Sequence, residues 1–150
     1  MSTQVMRRRL EDAAMNQRVL IVEDEFLIAL DIAETVEEMG LKVSGFASAR
    51  EHALRLAPLA DIAFVDVNLS DGATGPSIGR ELAERFGITV VFMTANPEQL
   101  AGHDAATLGV LTKPVMPHIL QETVAYAVAN RAGGLAAVPR QLRALAVANR

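Results

Sequence analysis

Between residues 18 and 131 short apolar runs alternate with longer amphipathic stretches. Residues 18–22, Arg-Val-Leu-Ile-Val, are apolar and β-branched without polar alternation, the pattern of a strand covered on both faces. Over residues 26–39, apolar side chains recur at helical spacing among Asp31, Glu34, Glu37 and Glu38, and Gly40 supplies a stop. The same reading predicts strands near 42–46, 61–67, 89–93 and 108–112. Helices are predicted near 49–56 and 76–86, more weakly near 98–106, and from 115 to about 131.

Five strands alternating strictly with five helices imply parallel strands joined by right-handed crossovers. The expected fold is therefore doubly wound α/β, an open five-stranded parallel sheet with helices on both faces. A closed barrel would need about 250 residues, and a dinucleotide fold would show G-x-G-x-x-G after the first strand. That turn reads Glu23-Asp24-Glu25 instead. Residues 1–17 form an N-terminal extension that either extends a helix or stays mobile. Gly133-Gly134 and Pro139 set off a basic C-terminal tail over 132–150, and neither end is expected to form a second domain.

Composition narrows the class. A chain of 150 residues, 51% hydrophobic and 21% charged, has the balance of one globular domain. It has no cysteine, and its histidines (His52, His103, His118) are far apart, so any metal must be bound mainly by oxygen. No apolar run approaches the roughly 18 residues needed to cross a bilayer, and Arg7-Arg8-Arg9 is not followed by a signal-like stretch. A cytoplasmic location without membrane contact is the expectation. The net charge of -4 conceals an acidic body, with 8 Lys/Arg against 16 Asp/Glu over residues 18–131, while the tail adds Arg140, Arg143 and Arg150 without an acid. An acidic body argues against nucleic-acid binding, which draws on phosphate neutralisation. His103 and His118 read as surface residues, and Met93 and Met116 as packing.

In an open parallel sheet the ligand site lies beyond the carboxyl ends of the strands. Glu23 and Asp24 end the first strand, Asp66 the third, Thr94 follows the fourth and Lys113 the fifth. Three carboxylates at one rim repel unless a cation intervenes, and oxygen ligands suit a hard ion, with Mg²⁺ the natural candidate. Asp66 then serves as nucleophile for a phosphoryl group, since a carboxylate can form an acyl phosphate. Lys113 and the Thr94 hydroxyl are placed to neutralise phosphoryl oxygens, and Ala95 leaves room for the donor. Glu23-Asp24-Glu25 read alone is equally a helix cap, and Asn68 and Asn96 turn formers. The joint placement of the acids with Thr94 and Lys113 favours a site.

V-L-I-V-E-D-E, F-V-D-V-N-L-S-D-G, V-V-F-M-T-A and V-L-T-K-P stand in order along the chain. In that combination residues 18–131 resemble the receiver domain of two-component response regulators. The resemblance implies a flavodoxin-like sheet with strands in the order 2-1-3-4-5, and Asp66 as phosphoacceptor from a histidine kinase or phosphotransfer protein. It also implies Asp24 and Asp66 as direct metal ligands, Glu23 acting largely through water, the Asn68 carbonyl as a further ligand, and a cis bond before Pro114. Receivers usually carry an aromatic toggle three residues before the lysine, and here that position is Val110. The segment 92–97, together with Asp66-Val67-Asn68-Leu69 and the loop from Gly72 to Gly75, looks like the atypical receivers of alphaproteobacteria, including the single-domain class with the motif F-A-T-G-x-Y and the receivers of general stress regulators. Met93, Ala95 and Pro97 replace the Ala, Gly and Tyr of that motif.

The expected function is a single-domain response regulator, not an enzyme on external substrates. Phosphorylation would switch a protein-binding surface around the fourth helix, fifth strand and fifth helix, acting on a downstream protein as monomer or phosphorylation-dependent dimer. One alternative is a receiver-like interaction module that works without phosphorylation. The other is a small-molecule phosphatase with an aspartyl-phosphate intermediate, disfavoured because Asn68 stands where such enzymes place a general acid.

Overall fold

The structure is a computed structural model that describes residues 2–100, 102, 107–134 and 137–144. Five parallel strands, β1 (Arg18–Val22), β2 (Lys42–Ala47), β3 (Ile62–Asp66), β4 (Thr89–Thr94) and β5 (Gly109–Thr112), form one sheet in the order β2-β1-β3-β4-β5. The expected doubly wound topology is present. Five α-helices accompany it among the described residues: α1 (Thr3–Met15), α2 (Phe26–Glu38), α3 (Arg50–Leu56), α4 (Gly75–Phe86) and α5 (Pro117–Arg131).

Because side chains alternate along a strand, the buried strands supply two cores at once. Val19, Ile21, Ile62 and Phe64 pack on one face with Ile32 and Val36 of α2 and Leu120 and Val124 of α5. Leu20, Val22, Ala63 and Val65 face the other way, against Ala53 of α3 and Ile78 and Leu82 of α4. This explains why β1 and β3 lack polar alternation: all five residues of β3 are buried. At Gly79 a Cβ would lie 2.4 Å from the Phe92 ring, so the ring would have to shift to admit a side chain.

The ends and one connection depart from the sequence reading. Residues 3–15 of the extension are helical, and α1 packs along α5. At the start of the segment expected to be helical over 98–106 the described residues form a short 3₁₀ turn, Pro97–Leu100, and residues 101 and 103–106, including His103, lie outside the described set. Met116, expected to pack, is 54% exposed, whereas Met93 is buried as expected. Residues 137–144 of the tail are not helical, and Arg143 pairs with Val110 of β5; the remainder of the expected tail segment, 145–150, falls outside the described residues. Among the described residues no helix is long and apolar enough to cross a membrane.

Candidate functional site

The parallel register sets the site. Val22 pairs with Val65 across β1 and β3, and Asp66 pairs with Met93 across β3 and β4, so Glu23, Asp66 and Thr94 emerge side by side at one end of the sheet. Thr94 in turn pairs with Thr112, which places Lys113 on the same rim, and the Lys113 N–H donates to the Thr94 carbonyl at 2.9 Å. The crossovers thus bring together groups far apart in sequence, each at or just beyond the end of its strand.

Glu23, Asp66 and Thr94 are buried, and Asp24 is exposed. Glu23, Asp24 and Asp66 each offer a carboxylate oxygen to one spot, the three atoms lying within 4.8 Å of one another. Lys113 enters the same spot: its Nζ donates to Glu23 Oε1 at 2.9 Å and to Asp66 Oδ2 at 2.9 Å. The peptide bond between Lys113 and Pro114 is cis, as the resemblance implied. Glu23 Oε2 also accepts the Glu25 N–H at 3.2 Å.

Burial pushes the Glu23 carboxyl up to about 7; the Lys113 hydrogen bond opposes this and the neighbouring Asp66 adds to it. For Lys113, burial lowers the pKa, yet the bonds to Glu23 and Asp66 outweigh it and the net shift is upward. The ammonium is thus a firm positive charge serving two carboxylates. An all-oxygen acidic set with one exposed member fits a hard divalent cation.

Around this centre the loops are tied down. Thr94 Oγ1 accepts the Asn96 N–H at 3.0 Å, which leaves the hydroxyl proton available to a further acceptor. Asn68 is exposed, and its amide donates to Gln99 Oε1 at 3.2 Å, so it reaches across the mouth of the site to the 3₁₀ turn. Asp71 accepts the Arg50 N–H at 3.0 Å and the Thr74 hydroxyl at 2.6 Å, and the Thr74 bond, followed by the Arg50 N–H, holds its carboxyl below the usual range. Gly75 lets α4 start directly beneath the site: a Cβ there would lie 2.0 Å from the Asp66 carbonyl oxygen and 2.6 Å from Val67 Cα. Gln99 and Gly75 were not singled out by sequence reasoning. The Gly72-to-Gly75 loop carried the only sequence signal for Gly75, and Gln99 had none.

Residues 19–125 match the family described as response regulator receiver domain. The chain belongs to that family. It is 35% identical over 109 residues to the phyllosphere-induced regulator PhyR of Methylorubrum extorquens, covering 70% of this chain and 41% of the relative. It is 36% identical over 110 residues to the transcriptional regulatory protein PdtaR of Mycobacterium tuberculosis, covering 69% and 52%. The response regulator PhyR from Brucella abortus superposes with a TM-score of 0.72 at 29% identity, over 86% of this chain and 54% of that one. The chain thus spans about half the length of the curated relatives it matches. Receivers are signalling domains that bind Mg²⁺ through acidic residues, and this receiver carries an acidic cluster at Glu23, Asp24 and Asp66.

Proposed function

We propose that the chain is a phosphorylation-operated switch whose acceptor is Asp66. The observation that carries this reading is the double ion pair of Lys113 with Glu23 and Asp66. The ammonium already touches Asp66 and has three N–H donors, so it stands within hydrogen-bond reach of a phosphoryl oxygen added to that carboxylate. In the transfer, an Asp66 carboxylate oxygen attacks phosphorus and the bond from phosphorus to the donor's histidine nitrogen breaks, leaving an acyl phosphate on Asp66 and a neutral imidazole on the donor. Lys113 and the Thr94 hydroxyl are the groups of this chain that neutralise the phosphoryl oxygens. Glu23, Asp24, Asp66 and the Asn68 main chain would hold Mg²⁺, which supplies charge neutralisation when bound.

The donor on this reading is a histidine kinase or phosphotransfer protein. Phe26, Leu27 and Leu30 are exposed at 70%, 76% and 41%, at the start of the helix that follows Glu23 and Asp24. An apolar patch beside the acceptor suits the docking of a partner helix. The added charge of about -1.5 to -2 would shift the loops after β3 and β4, and with them a surface read by a downstream protein.

Mass spectrometry after acetyl phosphate treatment with Mg²⁺ tests the assignment. The parent chain should gain one phosphoryl group, labile to alkali, and Asp66→Asn should gain none. A persistent gain in the substituted chain would place the acceptor elsewhere; no gain in the parent would favour a phosphorylation-independent module.

A further inference from the structure

β5 ends the sheet, so one of its edges has no neighbouring strand in the ladder order. The described C-terminal residues lie on that edge. The Val110 N–H donates to the Arg143 carbonyl at 2.8 Å and the Arg143 N–H donates to the Val110 carbonyl at 3.0 Å, an antiparallel bridge. Leu142, beside it, is only 4% exposed and joins the core that contains Leu111 and Ile119. Gly109 makes the close approach possible: a Cβ there would lie 2.6 Å from the Arg143 carbonyl oxygen and 3.0 Å from Leu142 Cδ1. A groove of about 490 Å³ continues along this strap, walled by Thr112, Val115 and His118 on one side and by Arg140 and Gln141 on the other.

An unpaired strand edge is a template for another strand, and a cover supplied by the same chain both protects it and shows what fits it. The fit has three parts: main-chain pairing at Val110, an apolar side chain in the Leu142 position, and cationic neighbours, Arg140 and Arg143, against a body with twice as many acids as bases over residues 18–131. The strap follows Gly133-Gly134 and, among the described residues, is held to the sheet by this one bridge and the buried Leu142 side chain.

We propose that the β5 edge is a strand-acceptor site for an extended, acid-free segment of a partner protein that carries a leucine-like residue beside an arginine. Residues 139–143 hold that site closed in cis. Tethering gives the strap an effective concentration in the millimolar range, so it excludes a free competitor of modest affinity. This proposal does not rest on Asp66 being the acceptor.

The probe is a fluorescent synthetic peptide of residues 137–144, titrated into the full chain as wild type, as Leu142→Asp, and as Leu142→Asp combined with Gly109→Ala. Leu142→Asp empties the edge and should bind the peptide about tenfold or more tightly than wild type, the factor expected if the strap is seated nine-tenths of the time. The Gly109→Ala combination should lose that binding, as should a peptide with Asp at its leucine position. Circular dichroism melts check folding, and Leu142→Ser replaces Leu142→Asp if the latter unfolds. Equal binding to wild type and to the opened variant, binding undiminished in the combined variant, or no binding to a folded opened variant would each overturn the proposal. So would a wild-type dimer that Leu142→Asp abolishes, since the occupant would then be a second copy.

Discussion

Lys113 Nζ lies 2.9 Å from Asp66 Oδ2 and 2.9 Å from Glu23 Oε1, so one ammonium joins the ends of three strands. Its removal leaves two buried carboxylates facing each other. Lys113→Met is expected to destabilise the metal-free chain at neutral pH by about 1–3 kcal/mol, less than the full cost of breaking a buried pair because Glu23 can take up a proton. Urea unfolding at pH 7.5 and pH 5 measures it. The loss should shrink at the lower pH, and a loss independent of pH would mean that Lys113 acts through packing alone.

The Glu23 carboxyl, raised from 4.5 to about 7, links stability to pH. Its folded-state pKa is above its unfolded value, so the folded state holds the proton more tightly. That contribution is fully present below about pH 4.5 and is lost as pH rises through about 7. A divalent cation competes for the same carboxylate. Apparent Mg²⁺ affinity is therefore expected to strengthen as pH rises from 6 to 8, and Glu23→Gln to flatten that dependence. Titration calorimetry across the pH range reads both.

Leu27→Ser removes an exposed apolar side chain beside the site without touching the acids. Phosphoryl transfer from a cognate kinase should slow about tenfold, an apolar contact of roughly 1–1.5 kcal/mol. Labelling by acetyl phosphate should stay unchanged. Equal slowing of both reactions would show that the substitution damages the site itself.

At Gly75 a methyl group meets main chain, not flexible side chain, with the Asp66 carbonyl oxygen at 2.0 Å. Gly75→Ala is expected to cost about 2 kcal/mol or more, because either α4 or the end of β3 has to move. It should also reduce acetyl phosphate labelling by displacing Asp66. A thermal melt together with the labelling rate separates the two effects.

Gly79→Ala tests the same logic on the core, since its Cβ would lie 2.4 Å from the Phe92 ring. Here the obstacle is a side chain that can rotate, so a loss of about 1–2 kcal/mol is expected with labelling per folded molecule preserved. Guanidinium unfolding compared with Gly75→Ala checks the ranking.

Much of this arrangement was legible in order along the chain. β1, β3 and β4 are short, apolar and β-branched, and hydrophobic periodicity depends only on neighbouring residues. Strict alternation then determined a parallel sheet, and a parallel sheet determined which end carries ligands, so Glu23, Asp24, Asp66, Thr94 and Lys113 were identifiable as one rim before any distance was known. Tertiary structure alone decided how they touch: that Lys113 bridges two acids, that Asn68 reaches Gln99, and that Gly75 clears the Asp66 backbone. It also decided the ends, where α1 lies on α5 and Arg143 pairs with Val110. The physical reason is one of range. Strand and helix patterns are local and repeated, whereas a single hydrogen bond or close approach between residues far apart in sequence leaves no periodic trace, and only the folded chain brings its partners within reach.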